Sequence, residues 1–130
     1  FQQGKYGLEG TSLAPVGGYI ELGEEPLAAA RRELLEEMGC EAAVWLPLGQ
    51  FCVDPNRGVA RGTLFLARGV VRVAEPNADD LEALTLLRLS ESELRAALRE
   101  GQFKVLAWAA TIAFALLQIQ SLPAAREEGE

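Results

Sequence analysis

Residues 18–40, GYIELGEEPLAAARRELLEEMGC, hold a spacing around which the rest of the chain has to be built. Gly18 is followed after five residues by Glu24, and after seven more by Arg32-Glu33-Leu34. One residue later come Glu36-Glu37, and one further on Gly39 with the apolar Cys40. The run reads as a loop leading into a helix. Gly17 and Gly18 permit unusual backbone angles and the close approach of a ligand. Glu24-Glu25-Pro26 is a good helix start, since proline is tolerated in the first turn and the helix dipole favours acids there. Leu27, Ala30, Leu34 and Met38 recur at helical spacing and are expected to face the core. Gly39 is expected to end the helix as its C-terminal cap.

Glu33, Glu36 and Glu37 stand at i, i+3 and i+4, so they project from one helix face. Glu33 and Glu37 form a like-charge pair that costs an isolated helix a few tenths of a kcal/mol. A bound divalent cation reverses that penalty, and carboxylate oxygens suit hard ions such as Mg²⁺. Arg32 can pair with Glu36 or reach back to Glu24. Taken alone, such a run is a solvated acidic helix face; the glycines and Glu24 at their spacings make it more than that.

The complete pattern resembles the Nudix box, the signature of hydrolases that cleave a diphosphate linked to another moiety. Seven identities at roughly 6% background each make a chance match on the order of 10^-9 per starting position. The resemblance implies an α/β protein with an α/β/α sandwich around a mixed sheet. It implies metal ligands at Glu33, Glu36 and Glu37, with the carbonyl of Gly17 completing one shell. Glu24 then supports the metal ligands from behind or is itself a more distant ligand, and Arg32 orients a metal-binding glutamate. The implied cofactor is Mg²⁺, with Mn²⁺ able to substitute.

The region after the box resembles the ADP-ribose pyrophosphatase-like branch: LGQF-x-VDPNRG, LFLARGV, an acidic loop, a helix, a glycine and a final apolar helix. In that branch the acidic loop supplies a catalytic glutamate, and Asp79 or Glu82 matches it here, against the plain alternative of a solvated loop. Arg57 and Arg61 flank a loop suited to phosphate or ribose contact, and Tyr6 is a candidate for stacking on a base. The expected reaction is hydrolysis of ADP-ribose to AMP and ribose 5-phosphate. A nucleotide sugar, NADH or a modified nucleotide are alternative substrates. A Nudix domain that senses a nucleotide without hydrolysis is a third reading, opposed by the full set of box glutamates.

The 130 residues suffice for one domain, 1–122, with a polar tail at 123–130. Only 17 residues precede the box, fewer than the strands that the resemblance places there. One or more N-terminal strands are therefore expected to be lacking, with sheet edges left exposed. A net charge of −7 argues against nucleic-acid binding, which needs a basic stripe. The absence of histidine excludes histidine nucleophiles and histidine zinc sites. Cys40 and Cys52 give no disulfide framework and read as reduced, buried thiols of a cytoplasmic protein.

Residues 105–119 are apolar but short for a membrane span, and a helix in a core or homodimer interface is expected instead. β character is expected at 42–48 and continues as a strand through 49–53, followed by a turn at 54–58 and a strand pair or one bent strand at 60–73. Ser90-Glu91-Ser92-Glu93 is a capping box opening a helix to about Glu100. Gly101 breaks that helix, and 103–120 form another.

Overall fold

The computed structural model describes residues 1–4, 10–76 and 86–122. Two short strands, β1 (Gln2–Gly4) and β2 (Thr11–Leu13), pair antiparallel with Gln2 opposite Leu13. The box loop follows, then helix α1 (Pro26–Met38). Pro26 occupies the first helical turn, as expected, and Gly39 caps the other end at φ 64. That left-handed angle is open to glycine at little cost. The space at Gly39 is closed as well, because a β-carbon there would overlap the carbonyl oxygen of Ala74. The Gly39 carbonyl accepts from the amides of Val73 at 2.8 Å and Ala74 at 3.1 Å, which ties the helix end to the strand that returns beside it.

Two long strands, β3 (Cys40–Asp54) and β4 (Val59–Arg72), form one antiparallel hairpin. The strand expected at 42–48 and continued through 49–53 is one element, the turn falls at 55–58, and 60–73 takes the one-strand alternative. Glycines interrupt both strands without ending them. A bulge between Pro47 and Gly49 absorbs the first interruption. Gly69, at φ 64, leaves room for Ala43 across the ladder, whose Cβ lies only 2.9 Å from where a β-carbon of residue 69 would be. Among the described residues both ladders are antiparallel. The α/β character holds, while the described strands do not themselves draw the mixed sheet of the expected sandwich.

Helix α2 (Glu91–Arg99) opens on the expected capping box: Ser90 Oγ accepts from the Glu93 amide at 3.1 Å, and the Glu93 carboxylate accepts from the Ser90 amide at 3.1 Å. Helix α3 (Leu106–Ser121) begins three residues later than the expected 103. The preceding stretch is held in the core instead: Phe103 is buried, and Ser12 Oγ accepts from the Lys104 amide at 3.0 Å. Leu13, Ala97 and Phe103 form the buried centre, with Leu94, Leu98, Trp108, Ala109 and Ile112 packed on it. On α1, Leu34 is buried and Leu27, Ala30 and Met38 are half-buried; Ala29, absent from the expected set, is buried too.

Cys40 is half-buried, but Cys52 is exposed, which corrects the expectation of two buried thiols. Cys52 sits opposite Arg61 near the turn of the hairpin. Its neighbour Phe51 points to the other side and stacks on Phe114 of α3 at 4.9 Å. Among the described residues no helix is long and apolar enough to cross a membrane.

Candidate active site

Arg32 is the hub of the box. Its guanidinium meets Glu24 with two parallel bonds, Nε to Oε2 at 2.9 Å and Nη2 to Oε1 at 3.0 Å. Nη1 reaches Glu33 Oε1 at 3.0 Å and Glu36 Oε2 at 3.2 Å. Nη2 also donates to the carbonyl of Tyr19 at 3.1 Å. Both partners foreseen for Arg32, Glu24 and Glu36, are therefore engaged. The Tyr19 carbonyl and Glu21, 3.8 Å from Nη1, were not foreseen. No side-chain pattern points to a carbonyl, but an acid three residues before Glu24 was a readable signal. The Glu21 amide donates to Glu24 Oε1 at 3.1 Å, closing the loop on itself.

These contacts set the protonation of the cluster. The hydrogen bonds from Arg32, and then the one from the Glu21 amide, hold the Glu24 carboxyl below its ordinary value. Glu24, and then the nearby charges, hold the Arg32 guanidinium firmly protonated. Burial pushes the Glu33 carboxyl up, with Arg32 opposing and the charges of Glu36 and Glu24 adding to the rise.

The loop approaches the helix most closely at Gly18. A β-carbon on Gly18 would overlap Oε1 of Glu33. This is the close approach that the glycine pair implied, and it is made by Gly18, while Gly17 has open space beside it. Glu33 is largely covered, with a side chain 15% exposed, whereas Glu36 is open at 47%. Oε2 of Glu37 is shut off from solvent, and the charge of Glu37 is felt by the amino group of Phe1. The acidic face thus runs from a covered Glu33 to an open Glu36.

Among the described residues no three carboxylates converge on one point as a ready cage for an ion. The reason is visible: Arg32 Nη1 is a cation shared by Glu33 and Glu36. That contact orients both carboxylates from one side. Hard divalent cations take oxygen ligands, often from only one or two carboxylates with the rest supplied by substrate and water, and the carboxylates of this face are donors of that kind.

Arg57 and Arg61 lie at the turn end of the hairpin, whereas α1 joins the other end. Arg57 is exposed and pairs with Asp54 of its own turn at 3.6 Å. Tyr6, Asp79 and Glu82 lie outside the described residues.

A family model for the NUDIX domain matches residues 2–109. The chain belongs to the Nudix family. This Nudix domain places the chain among hydrolases of diphosphate linkages in nucleotide-like compounds. No curated protein matches the chain.

Proposed function

We propose that this Nudix protein is a Mg²⁺-dependent pyrophosphohydrolase whose substrate is ADP-ribose, cleaved to AMP and ribose 5-phosphate. The observation that supports the metal-dependent part is the acidic helix face of Glu33, Glu36 and Glu37, with Glu33 and Glu36 held by Arg32 and the loop brought against Glu33 at Gly18. ADP-ribose is favoured by the LGQF-x-VDPNRG and LFLARGV stretches, which resemble that branch.

Glu33, Glu36 and Glu37, with the Gly17 carbonyl, would hold the cation. Bound there, Mg²⁺ supplies neutralisation of the diphosphate charge and a lowered pKa of the attacking water. A carboxylate of the Glu36–Glu37 pair, or Asp79 or Glu82, takes the proton as the water oxygen attacks phosphorus and the anhydride bond breaks. Arg32 holds Glu33 and Glu36 in place, and Glu24 holds Arg32. Arg57 and Arg61 are candidates for phosphate or ribose contacts, and Tyr6 for the base. Cytoplasmic location accords with two free thiols.

The test is hydrolysis of a panel of diphosphate compounds with and without Mg²⁺, beside Glu36→Gln and Glu37→Gln. Selective, cation-dependent cleavage of ADP-ribose is expected, with either variant folded and slowed by about 10³-fold or more, in the range of catalytic-group removals. Near-parental rates in both variants would sink the assignment. Silence of the folded parent across the panel would favour a nucleotide sensor.

A further inference from the structure

We propose that Gly23 is a positioning residue: it holds residues 21–24 in a turn that sets the Glu24 carboxylate to receive Arg32. The Glu24 amide donates to the Glu21 carbonyl at 3.0 Å, which closes a turn with Leu22 and Gly23 at its centre. Gly23 has φ 78, and Leu22 is not among the residues of positive φ. A positive angle at the third position alone marks a type II turn, which takes glycine or asparagine there. A β-carbon on Gly23 would meet nothing within 4 Å. Gly23 is thus required by its backbone angle, whereas Gly18 is required by space.

The turn also grips the carboxylate. Its first amide, that of Glu21, donates to Glu24 Oε1 at 3.1 Å. Glu21 and Glu24 are therefore joined twice, carbonyl to amide and amide to carboxylate, and the second bond fixes the rotation of the carboxylate. Oε1 also takes Arg32 Nη2 at 3.0 Å, and Oε2 faces Nε at 2.9 Å. One half of the fork is built by the loop itself, and α1 supplies the other. A bidentate pair depends on such alignment, since its two parallel bonds form only in one relative orientation.

Backbone bonds, not packing, hold this loop. Every residue from Gly17 to Gly23 is exposed, and Leu22 at the tip is fully so. A side chain at residue 23 strains the left-handed angle. The strain is relieved by rotating the 22–23 peptide, which shifts Glu21 against Glu24. The loss then falls on the Arg32 fork rather than on the core.

The first measurement needs neither cation nor substrate. Arg32 Nε–H donates to Glu24, so its proton exchange, followed by NMR, reports the fork. Gly23→Ala should speed that exchange about tenfold, the ratio set by a left-handed alanine, and leave the urea midpoint unchanged. Gly23→Asn should restore most of the protection, because asparagine tolerates the angle. Leu22→Ala, at the exposed tip, is the control and should change neither quantity. In a Glu24→Gln chain, Gly23→Ala should add little, since both act through one contact. The second measurement rests on the hydrolysis proposed above: Gly23→Ala should raise the Mg²⁺ needed for half-maximal turnover about tenfold, with kcat at saturating Mg²⁺ changed less.

Unchanged exchange in Gly23→Ala overturns the proposal. So does an asparagine variant no better than alanine, full additivity with Glu24→Gln, or an unchanged Mg²⁺ requirement in an active enzyme. A lowered urea midpoint would make Gly23 a structural residue and overturns it too. Should the folded parent hydrolyse nothing, the hydrolytic reading falls, and the exchange measurement still decides this one.

Discussion

Arg32 and Glu24 meet fork to fork, with bonds of 2.9 and 3.0 Å across eight residues of sequence. Because the same guanidinium also holds Glu33, Glu36 and the Tyr19 carbonyl, this pair fixes the box loop and the acidic helix face to each other. Lysine brings a single ammonium and cannot span two oxygens while reaching the others. Arg32→Lys is expected to lower Mg²⁺-dependent turnover about 10- to 100-fold, the usual cost of losing a group that orients metal ligands. Glu24→Gln should cost a similar factor, and the double variant little more, because the two act as one unit. Steady-state kinetics on the four proteins settle it; fully additive losses would show that the pair is not the device that positions the face.

Gly18 is confined by space. Any β-carbon there overlaps Oε1 of Glu33, so Gly18→Ala must push the carboxylate off its place or move the loop. The domain should stay folded, because the residue is exposed and outside the core. The expected effect is on the cation: an Mg²⁺ requirement about tenfold higher or more in a titration of activity. Gly17→Ala, with open space at its β position, is the matched control and should change little. Equal defects in both would assign the effect to backbone freedom rather than to the Glu33 contact.

Local chemistry made part of this protein legible. Pro26, Gly39 and the Ser90–Glu93 box mark helix ends through bonds made within a few residues, and each acts where its type predicts. The acidic face and its arginine were readable for the same reason. The two long strands and the turn between them were readable as well, but how Gly49 and Gly69 are carried inside them was not. Their meaning lies across the ladder, in a bulge at Pro47/Gly49 and in the Ala43 side chain facing Gly69. Cys52 was misplaced by the same blindness, since three adjacent apolar residues do not declare which side of a bulged strand each takes. The Tyr19 carbonyl carries no side-chain signal at all.

Gly39 joins the box helix to the hairpin, and its substitution tests that joint. Alanine at φ 64 costs about 1–2 kcal/mol from the left-handed conformation alone. The overlap with the Ala74 carbonyl adds to this, because backbone cannot swing aside like a side chain. Gly39→Ala should therefore destabilise the fold by about 2 kcal/mol or more, measured as a lowered midpoint in urea at unchanged slope. A loss below about 0.5 kcal/mol, the range of ordinary surface changes, would mean that the joint relaxes freely.

Glu33 should reveal the strain of the acidic face through pH. Burial lifts its carboxyl above the ordinary 4.5, and Arg32 offsets only part of the rise. Between the unfolded and folded values the folded chain holds the greater share of protons. Stability therefore falls as pH rises from about 4.5 through the raised value, and stays reduced above it. Glu33→Gln removes the charge and keeps an oxygen for Arg32. In cation-free buffer at pH 7 it is expected to melt at or above the parent temperature, with the difference shrinking as the buffer is taken below 4.5. Adding Mg²⁺ should invert the order, raising the parent's melting temperature by mass action and leaving the variant's nearly still. Thermal scans at two pH values, with and without the cation, check all three points. A variant less stable than the parent at pH 7 without cation would show that the Arg32 bond outweighs the cost of burying the carboxylate. It would also remove the reason for a cation to stabilise this face.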